Sequence, residues 1–346
     1  MVDYGRAVWG LQPVIKDIRK AMAGLGLGLA LLAPASDLAC AETWTASYQF
    51  QAGDPRDEAM RGIARGVAEA GLDIRLFSAG SLLRPNDQWA ALLSGSVDLI
   101  FLPTDYLLDR FPQLAVLSLP GVVRTPAQAE RVAMSPAMRD LKHQIEAAGV
   151  VILADSWVPG AFASRKRCVV HPKDAKGLRA RTIGDFMSEF WTAAGAVSVP
   201  ATTSETMPTL VSSGLIDIAN TSALTLLALR MESRFACLTL PGTSGALWYL
   251  YEPILVSRHR FDALDEPQRL ALLAAAAKAQ ASLAAGASQY ERRLAGNYVA
   301  AGVEVVALDA EALAEWYRLA KRTAWKLFRQ QVPGGSELLD HLQAVE

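Results

Sequence analysis

Apolar and polar positions along this chain follow two alternating periods. Short apolar, β-type runs occur at Ser47 to Phe50, Asp73 to Phe77, Val97 to Leu102, Val150 to Ala154 and Ile216 to Ala219. Between them, stretches such as Arg56 to Ala70 and Ala127 to Ala148 repeat apolar residues at the three-and-four spacing of an amphipathic helix. Strands that alternate with helices predict an α/β fold. Two stretches also resemble one another, WAALLSGSVDLIFLPT at residues 89–104 and MPTLVSSGLIDIANTS at residues 207–222. In each, a helix ends on Ser-Gly, the glycine (Gly95, Gly214) suits a left-handed C-cap, an aspartate follows (Asp98, Asp217), and a short apolar strand runs into polar residues. Two similar lobes are expected.

A third element should couple them. From Asp265 the run D-E-P-Q offers an N-cap, a glutamine three residues on and a proline in the first turn, and an alanine-rich segment then continues to about Ala301 without an internal proline. At about 1.5 Å per residue such a helix is roughly 54 Å long, more than one small lobe is wide, so it must span both. Gly286 and Gly296 could bend it, each at about 1 kcal/mol relative to alanine.

Composition narrows the function. The 346 residues are 51% apolar and 20% charged, enough to bury a core without metal or disulfide staples. A formal net charge of -1, with no basic stripe carrying interleaved aromatics, excludes a dedicated nucleic-acid binder. Residues 1–41 read as a targeting segment. Lys16, Arg19 and Lys20 precede the apolar run Ala21 to Ala35, and the small-residue site Ala39-Cys40-Ala41 follows. Cleavage after Ala41 and export to the periplasm are expected. Acylation at Cys40 is the rival, disfavoured by Asp37 where an apolar residue belongs. Beyond the leader stand Cys168 and Cys237, both in apolar, strand-like runs; two buried thiols are expected in preference to a disulfide.

Signatures of catalysis are missing. The four histidines (His143, His171, His259, His341) are scattered, without HExxH or zinc spacing, and no GxGxxG, GxSxG or GxxxxGK[ST] run is present. No cofactor or metal is expected.

The run HPKDAKGLRARTIGDFMSEFWTAAGAVSVPATTSETMPTLVSSGLIDIANT is similar to the most specific stretch of the TRAP transporter solute-binding proteins of the DctP type. That stretch has the form DLKGLK-x-R, then GA-x-P-x-P, then SE-x-Y-x-AL-x-x-G-x-x-D. SGSVDLIFLPTDYL, FPQLAVLSLPGVVRT and AAGVEVV resemble the intervening segments, so that the likeness covers residues 44–320. It implies a two-lobed periplasmic binding protein fold, a long helix spanning both lobes, and a ligand held in the cleft between them. It further implies a monomer that delivers its ligand to integral-membrane permease subunits driven by an ion gradient. Lobe one is placed at residues 42–163 with a return near 255 that carries the chain to 346, and lobe two at 164–254.

The same resemblance makes Arg181 the anchor of a ligand carboxylate. Physically, a planar guanidinium presents two parallel N–H donors to a carboxylate, and burial strengthens the pair. Arg179 lies two residues away and projects to the same strand face, so alternation alone cannot separate the two arginines; Arg179 and Lys176 are expected to be solvated. Where family members carry Asn-Pro, this chain reads Asn220-Thr221-Ser222, with Asn220 and Thr221 as candidate ligand contacts or as an ordinary helix cap. Phe162 stands at the register of a second arginine common in the family, although a short gap would bring Arg165 into the cleft instead. Trp157, Trp248 and Tyr249 are candidate aromatic contacts, and Thr104 and Gln51 follow from the rule that α/β clefts form at strand ends. One cation and several aromatics predict an organic acid with a single carboxylate and an apolar or aromatic body. The alternatives are a secreted enzyme using Asp105, Asp217 or Glu205 as acid or base, and a ligand-sensing module.

Overall fold

The computed structural model describes residues 42–200 and 206–345; the leader, its Ala39-Cys40-Ala41 site and Glu205 lie outside the described residues. Among the described residues the strands are β1 (Glu42–Tyr48), β2 (Leu72–Phe77), β3 (Leu99–Phe101), β4 (Val150–Ala154), β5 (Trp157–Ser164), β6 (Arg179–Thr182), β7 (Val197–Pro200), β8 (Ile218–Ser222), β9 (Cys237–Leu240), β10 (Tyr249–Tyr251), β11 (Ile254–Ser257) and β12 (Glu304–Ala307). They form two sheets. The first has the order β2-β1-β3-β11-β4 and the second β12-β9-β5-β8-β6-β7, with β10 added to β5. In the first sheet β1 to β3 are parallel, whereas β11 runs antiparallel to both β3 and β4. Helices on the sheet faces complete the α/β architecture.

The repeated stretches occupy corresponding places in the two sheets. Gly95 and Gly214 adopt φ 75 and 72, the left-handed conformation that suits glycine, and β3 and β8 follow them. Asp98 and Asp217 sit just before or at the strand start and accept backbone N–H groups from neighbouring strands, Thr45 N at 2.7 Å and Arg179 N at 3.0 Å respectively. The helix expected over residues 127–148 is two helices, Pro126–Met134 and Pro136–Glu146. Pro136 lacks an N–H and disfavours helical geometry in the residue before it, and Ser135 turns outward to cap the second helix at Met138 N.

The long helix runs unbroken from Glu266 to Ala300, capped by Asp265 and Gln268. Gly286 and Gly296 do not interrupt it, because packing on both sides outweighs their weak propensity. Its N-terminal half buries Leu272, Ala276 and Leu283 in the cluster that contains Trp44, Met60 and Leu99 of the first sheet's layer. Its C-terminal part buries Leu294 and Tyr298 among Ala163, Ala219 and Leu238 of the second. One element therefore belongs to both cores.

Strand pairing moves the expected lobe boundary. β5 is hydrogen-bonded to β8 and β9, so residues 157–163, placed with lobe one from the sequence, belong to the second sheet; β12 joins the same sheet beside β9. The chain changes sheets at 155–156, at 252–253 and across the long helix. A fully buried strand has the same apolar pattern in either sheet, and only its partners decide its membership. The thiol expectation is also corrected: Cys168 and Cys237 form a disulfide with their Cα atoms 5.0 Å apart. β5 lies antiparallel to β9 with Ser164 opposite Cys237, and the chain just past β5 brings Cys168 alongside. Local apolar composition carries no information about that cross-sheet neighbour.

Candidate functional site

A small cavity lies where strand ends of the two sheets approach one another. Its volume is about 40 Å³, counted as the space open to the centre of a water-sized sphere, against about 10–15 Å³ needed by one water on that measure. Arg181, Asn220, Thr221 and Trp248 line it, and so do Asp105 and Glu252.

Arg181 is on β6, flanked by β7 and β8. It is 2% exposed, and one terminal nitrogen donates to the Asn220 carbonyl at 2.9 Å, while Nε has no partner. Burial pushes its pKa down against the opposing pull of Tyr106 and Asp105. A buried guanidinium with donors left over is costly unless an anion meets it. Arg179, expected to be solvated, keeps its side chain 38% exposed and clasps Asp217 through Nε at 2.9 Å and a terminal nitrogen at 3.0 Å. The two arginines share a strand face, as the alternation requires, and depth in the fold separates them.

At the end of β8 the polar triplet divides its work. Ser222 caps the helix Ala223–Leu229, its Oγ accepting from Thr225 N at 3.2 Å. The cap thus falls on Ser222, while Asn220 and Thr221 face the cavity, and the Asn220 side-chain oxygen is buried without a partner. Trp248 packs over Gly160 so closely that a Cβ there would lie 2.2 Å from its ring. Glycine is required at 160 by that approach.

The other sequence candidates lie elsewhere. Phe162 packs edge-on against Trp191 at 5.4 Å and near Trp316 at 6.5 Å, inside the core and off the cavity lining. Its side chain projects from the same sheet face as Gly160 and the cross-strand Asn220 but is taken up by the aromatic cluster beside the cavity. Arg165 lies against Gly214, and it too is off the lining. Trp157 packs at a tilt against Tyr251, ring centres 4.9 Å apart, and faces a separate cavity by Leu283 and Tyr290 of the long helix. Tyr249 is buried in the core, and Thr104 donates to the Tyr251 carbonyl at 3.1 Å. Gln51 is exposed at the edge of another hollow. Of the residues proposed for acid–base chemistry, Asp217 is held by Arg179 and Lys166, which lower its pKa against burial, and Asp105 lines the cavity.

Three residues at or behind the cavity were missed as ligand-site residues. Asp105 is half-buried and accepts from Ser118 Oγ at 2.9 Å; burial raises its pKa, against Ser118 and Arg181. The strand-end rule that named Thr104 stopped one residue short. Glu252 is 1% exposed, and it was legible as a lone acid within the apolar run ALWYLYEPILV. Arg56 stands behind it, fully buried at the first turn of the helix Pro55–Ala68. A cation there opposes the helix dipole and needs acidic partners, a signal present in the sequence Asp54-Pro55-Arg56. Asp54 supplies two contacts, at 2.9 and 2.7 Å, and Glu252 two more, while Thr225 Oγ1 accepts at 3.1 Å and the Phe50 ring lies 3.8 Å below the guanidinium.

The cavity thus gathers one buried guanidinium, two acidic side chains and apolar walls on a single lining. Comparison with known proteins identifies the family. A solute-binding protein of Albidiferax ferrireducens is 29% identical over 301 residues, covering 85% of this chain and 88% of that protein. The crystal structure of a TRAP periplasmic solute-binding protein from Rhodoferax ferrireducens with bound malonate superposes with a TM-score of 0.82 at 29% identity, covering 87% of this chain and 97% of that one. A Bordetella pertussis extracytoplasmic solute receptor that binds pyroglutamic acid shares the fold, with a TM-score of 0.77 at 22% identity over 88% of this chain and all of that one. The family model for DctP, bacterial extracellular solute-binding protein family 7, matches residues 50–331. With the long helix shared by two sheets and a buried arginine at the cavity between them, the chain belongs to the DctP family of solute-binding proteins, which are binders and not enzymes.

Proposed function

We propose that this protein captures a small organic acid in the periplasm, with one carboxylate and a partly apolar body, and hands it to the membrane subunits of a TRAP-type secondary transporter. The observation that carries this reading is Arg181, a buried guanidinium on the cavity wall with donors unspent. A ligand carboxylate meets those donors side by side, and exclusion of water strengthens the contact. Ile183, Met187, Leu250 and Trp248 supply apolar wall for the rest of the molecule. The cavity size favours a small acid. Among the described residues Arg181 is the one cation on the lining; Arg56 behind it is engaged by Asp54 and Glu252, and Asp105 repels a second carboxylate. The argument against a dicarboxylate therefore rests on Asp105 and Glu252 in place of Phe162.

Ligand release needs the lobes to part. The crossings at 155–156 and 252–253 are short, and the long helix is the remaining connection, so these are the hinge positions of the proposal. Titration calorimetry of the exported protein with matched mono- and dicarboxylates tests the reading. Tighter binding of the monocarboxylate, lost in Arg181→Ala, is the expected result; tighter binding of the dicarboxylate, or wild-type affinity in Arg181→Ala, sinks it. Delivery is tested by whether the ligand-loaded protein supports uptake in vesicles carrying the permease subunits.

A further inference from the structure

We propose that the ligand is amphoteric: a small acid that carries a protonated amine as well as its carboxylate, with Asp105 receiving the nitrogen while Arg181 receives the carboxylate. This deepens the organic-acid reading and rests on it.

The argument starts from two opposite charges that line one cavity without touching. Arg181 donates to the Asn220 carbonyl and Asp105 accepts from Ser118 Oγ; no ion pair joins the two. Mutually attracted groups that are free to pair do so unless the fold holds them apart. Arg181 stands on β6 of the second sheet and Asp105 on the short helix Thr104–Leu107 that follows β3 of the first, and both line the cavity. Desolvation of each group is only partly offset by its neighbours, which appears as a raised carboxyl and a lowered guanidinium pKa.

The charges around the cavity set the ligand's own. Arg181 contributes one positive and Asp105 one negative charge, while Glu252 is matched by Arg56 behind it. One cation and an acidic side gathered on a single lining, with Arg56 shared between Glu252 and Asp54 behind it, fit a ligand that carries both a negative and a positive group. A plain acid satisfies Arg181 but brings only acceptors and apolar atoms, and so offers no donor to Asp105 beyond the one Ser118 supplies. An ammonium group brings three donors. Ser118 fixes one Asp105 oxygen and leaves acceptor capacity directed to the cavity. Glu252 lies close enough to Asp105 to feel its charge, so acidic groups are gathered at that wall.

The experiment is calorimetry on the exported protein with probes that differ in one group: L-valine, 2-hydroxyisovalerate and isovalerate, and L-proline with cyclopentanecarboxylate. At pH 7.5 or so the amino acids should bind at least tenfold more tightly than their des-amino partners, and Asp105→Asn should cut that ratio at least tenfold. Ser118→Ala, which frees the Asp105 carboxylate to turn, should lower the ratio in the same direction and serves if Asp105→Asn folds poorly. Equal or tighter binding of the des-amino acids overturns this inference and leaves the organic-acid reading standing. A hydroxy acid that matches its amino acid overturns the requirement for nitrogen. Failure of every acid to bind overturns the organic-acid reading and this inference with it.

Discussion

Arg56 and Glu252, 196 positions apart in the chain, meet through one guanidinium nitrogen lying 3.1 and 3.2 Å from the two carboxylate oxygens. Both side chains are buried, and Arg56 also holds Asp54 and reaches Thr225 of the helix after β8. The contact joins the start of the helix Pro55–Ala68, on the first sheet's side, to the β10–β11 crossing and to an element of the second sheet's layer. It also neutralises a second cation near the cavity.

Removing one member of a buried, hydrogen-bonded pair leaves the other charge stranded, at about 3–5 kcal/mol. Arg56→Ala should lower unfolding free energy by that amount in urea titrations, and a paired Arg56→Met, Glu252→Leu replacement should recover much of it. A loss below about 1 kcal/mol for Arg56→Ala would contradict the geometry.

Burial pushes the Glu252 carboxyl up to about 7, with Arg56 pulling against it. The ordinary value is 4.5, so between those limits the folded state keeps a proton that the unfolded state has lost. Stability from this group is complete below about pH 4.5 and declines as pH rises towards 7. Urea unfolding across that window should show the decline in the wild type, and Glu252→Gln should flatten it. An identical slope in both proteins excludes Glu252 as its source.

Arg181→Ala should abolish ligand binding by about 2–5 kcal/mol, because the ligand's charge would be buried unpaired. Folding stability without ligand should hold or rise, since the substitution removes a desolvated guanidinium whose Nε has no partner. Lysine restores charge but not the two-pronged donor, so Arg181→Lys should regain only part of the affinity. Thermal unfolding with and without ligand separates the two effects; a large drop in apo stability argues that Arg181 is structural.

Gly160 is where Trp248 crosses β5, and a Cβ would meet three ring atoms at 2.2–2.4 Å. Gly160→Ala should displace the indole from the cavity wall, at about 1–3 kcal/mol of stability, and weaken ligand binding together with it. The tryptophan emission spectrum and calorimetry report both. Unchanged affinity with a shifted emission would show that Trp248 does not contact the ligand.

The Cys168–Cys237 bridge spans 69 positions, and a loop of that size constrains the unfolded chain by about 2–5 kcal/mol. A reductant, or Cys168→Ser with Cys237→Ser, should lower the melting temperature by several degrees while leaving the cavity residues in place. Insensitivity of the melting temperature to reduction would sink this.

Sequence alone determined the α/β class, the paired glycine C-caps at Gly95 and Gly214, the capped helix from Asp265, and Arg181 as a candidate distinguished by a motif. These are short-range facts: periodicity, capping and turn chemistry involve residues within a few positions of each other, so their physics is written locally. The break at Pro136 was legible in the same way, from proline's missing N–H, although the amphipathic pattern on both sides concealed it. What the tertiary structure decided are relations between distant segments. It set β5 in the second sheet, put Phe162 beside Trp191 in the core, joined Cys168 to Cys237, matched Arg56 with Glu252, and left Arg181 and Asp105 facing one cavity unpaired. No local pattern encodes which side chain stands across a sheet or a cleft, because that is settled only when hundreds of residues choose their burial together.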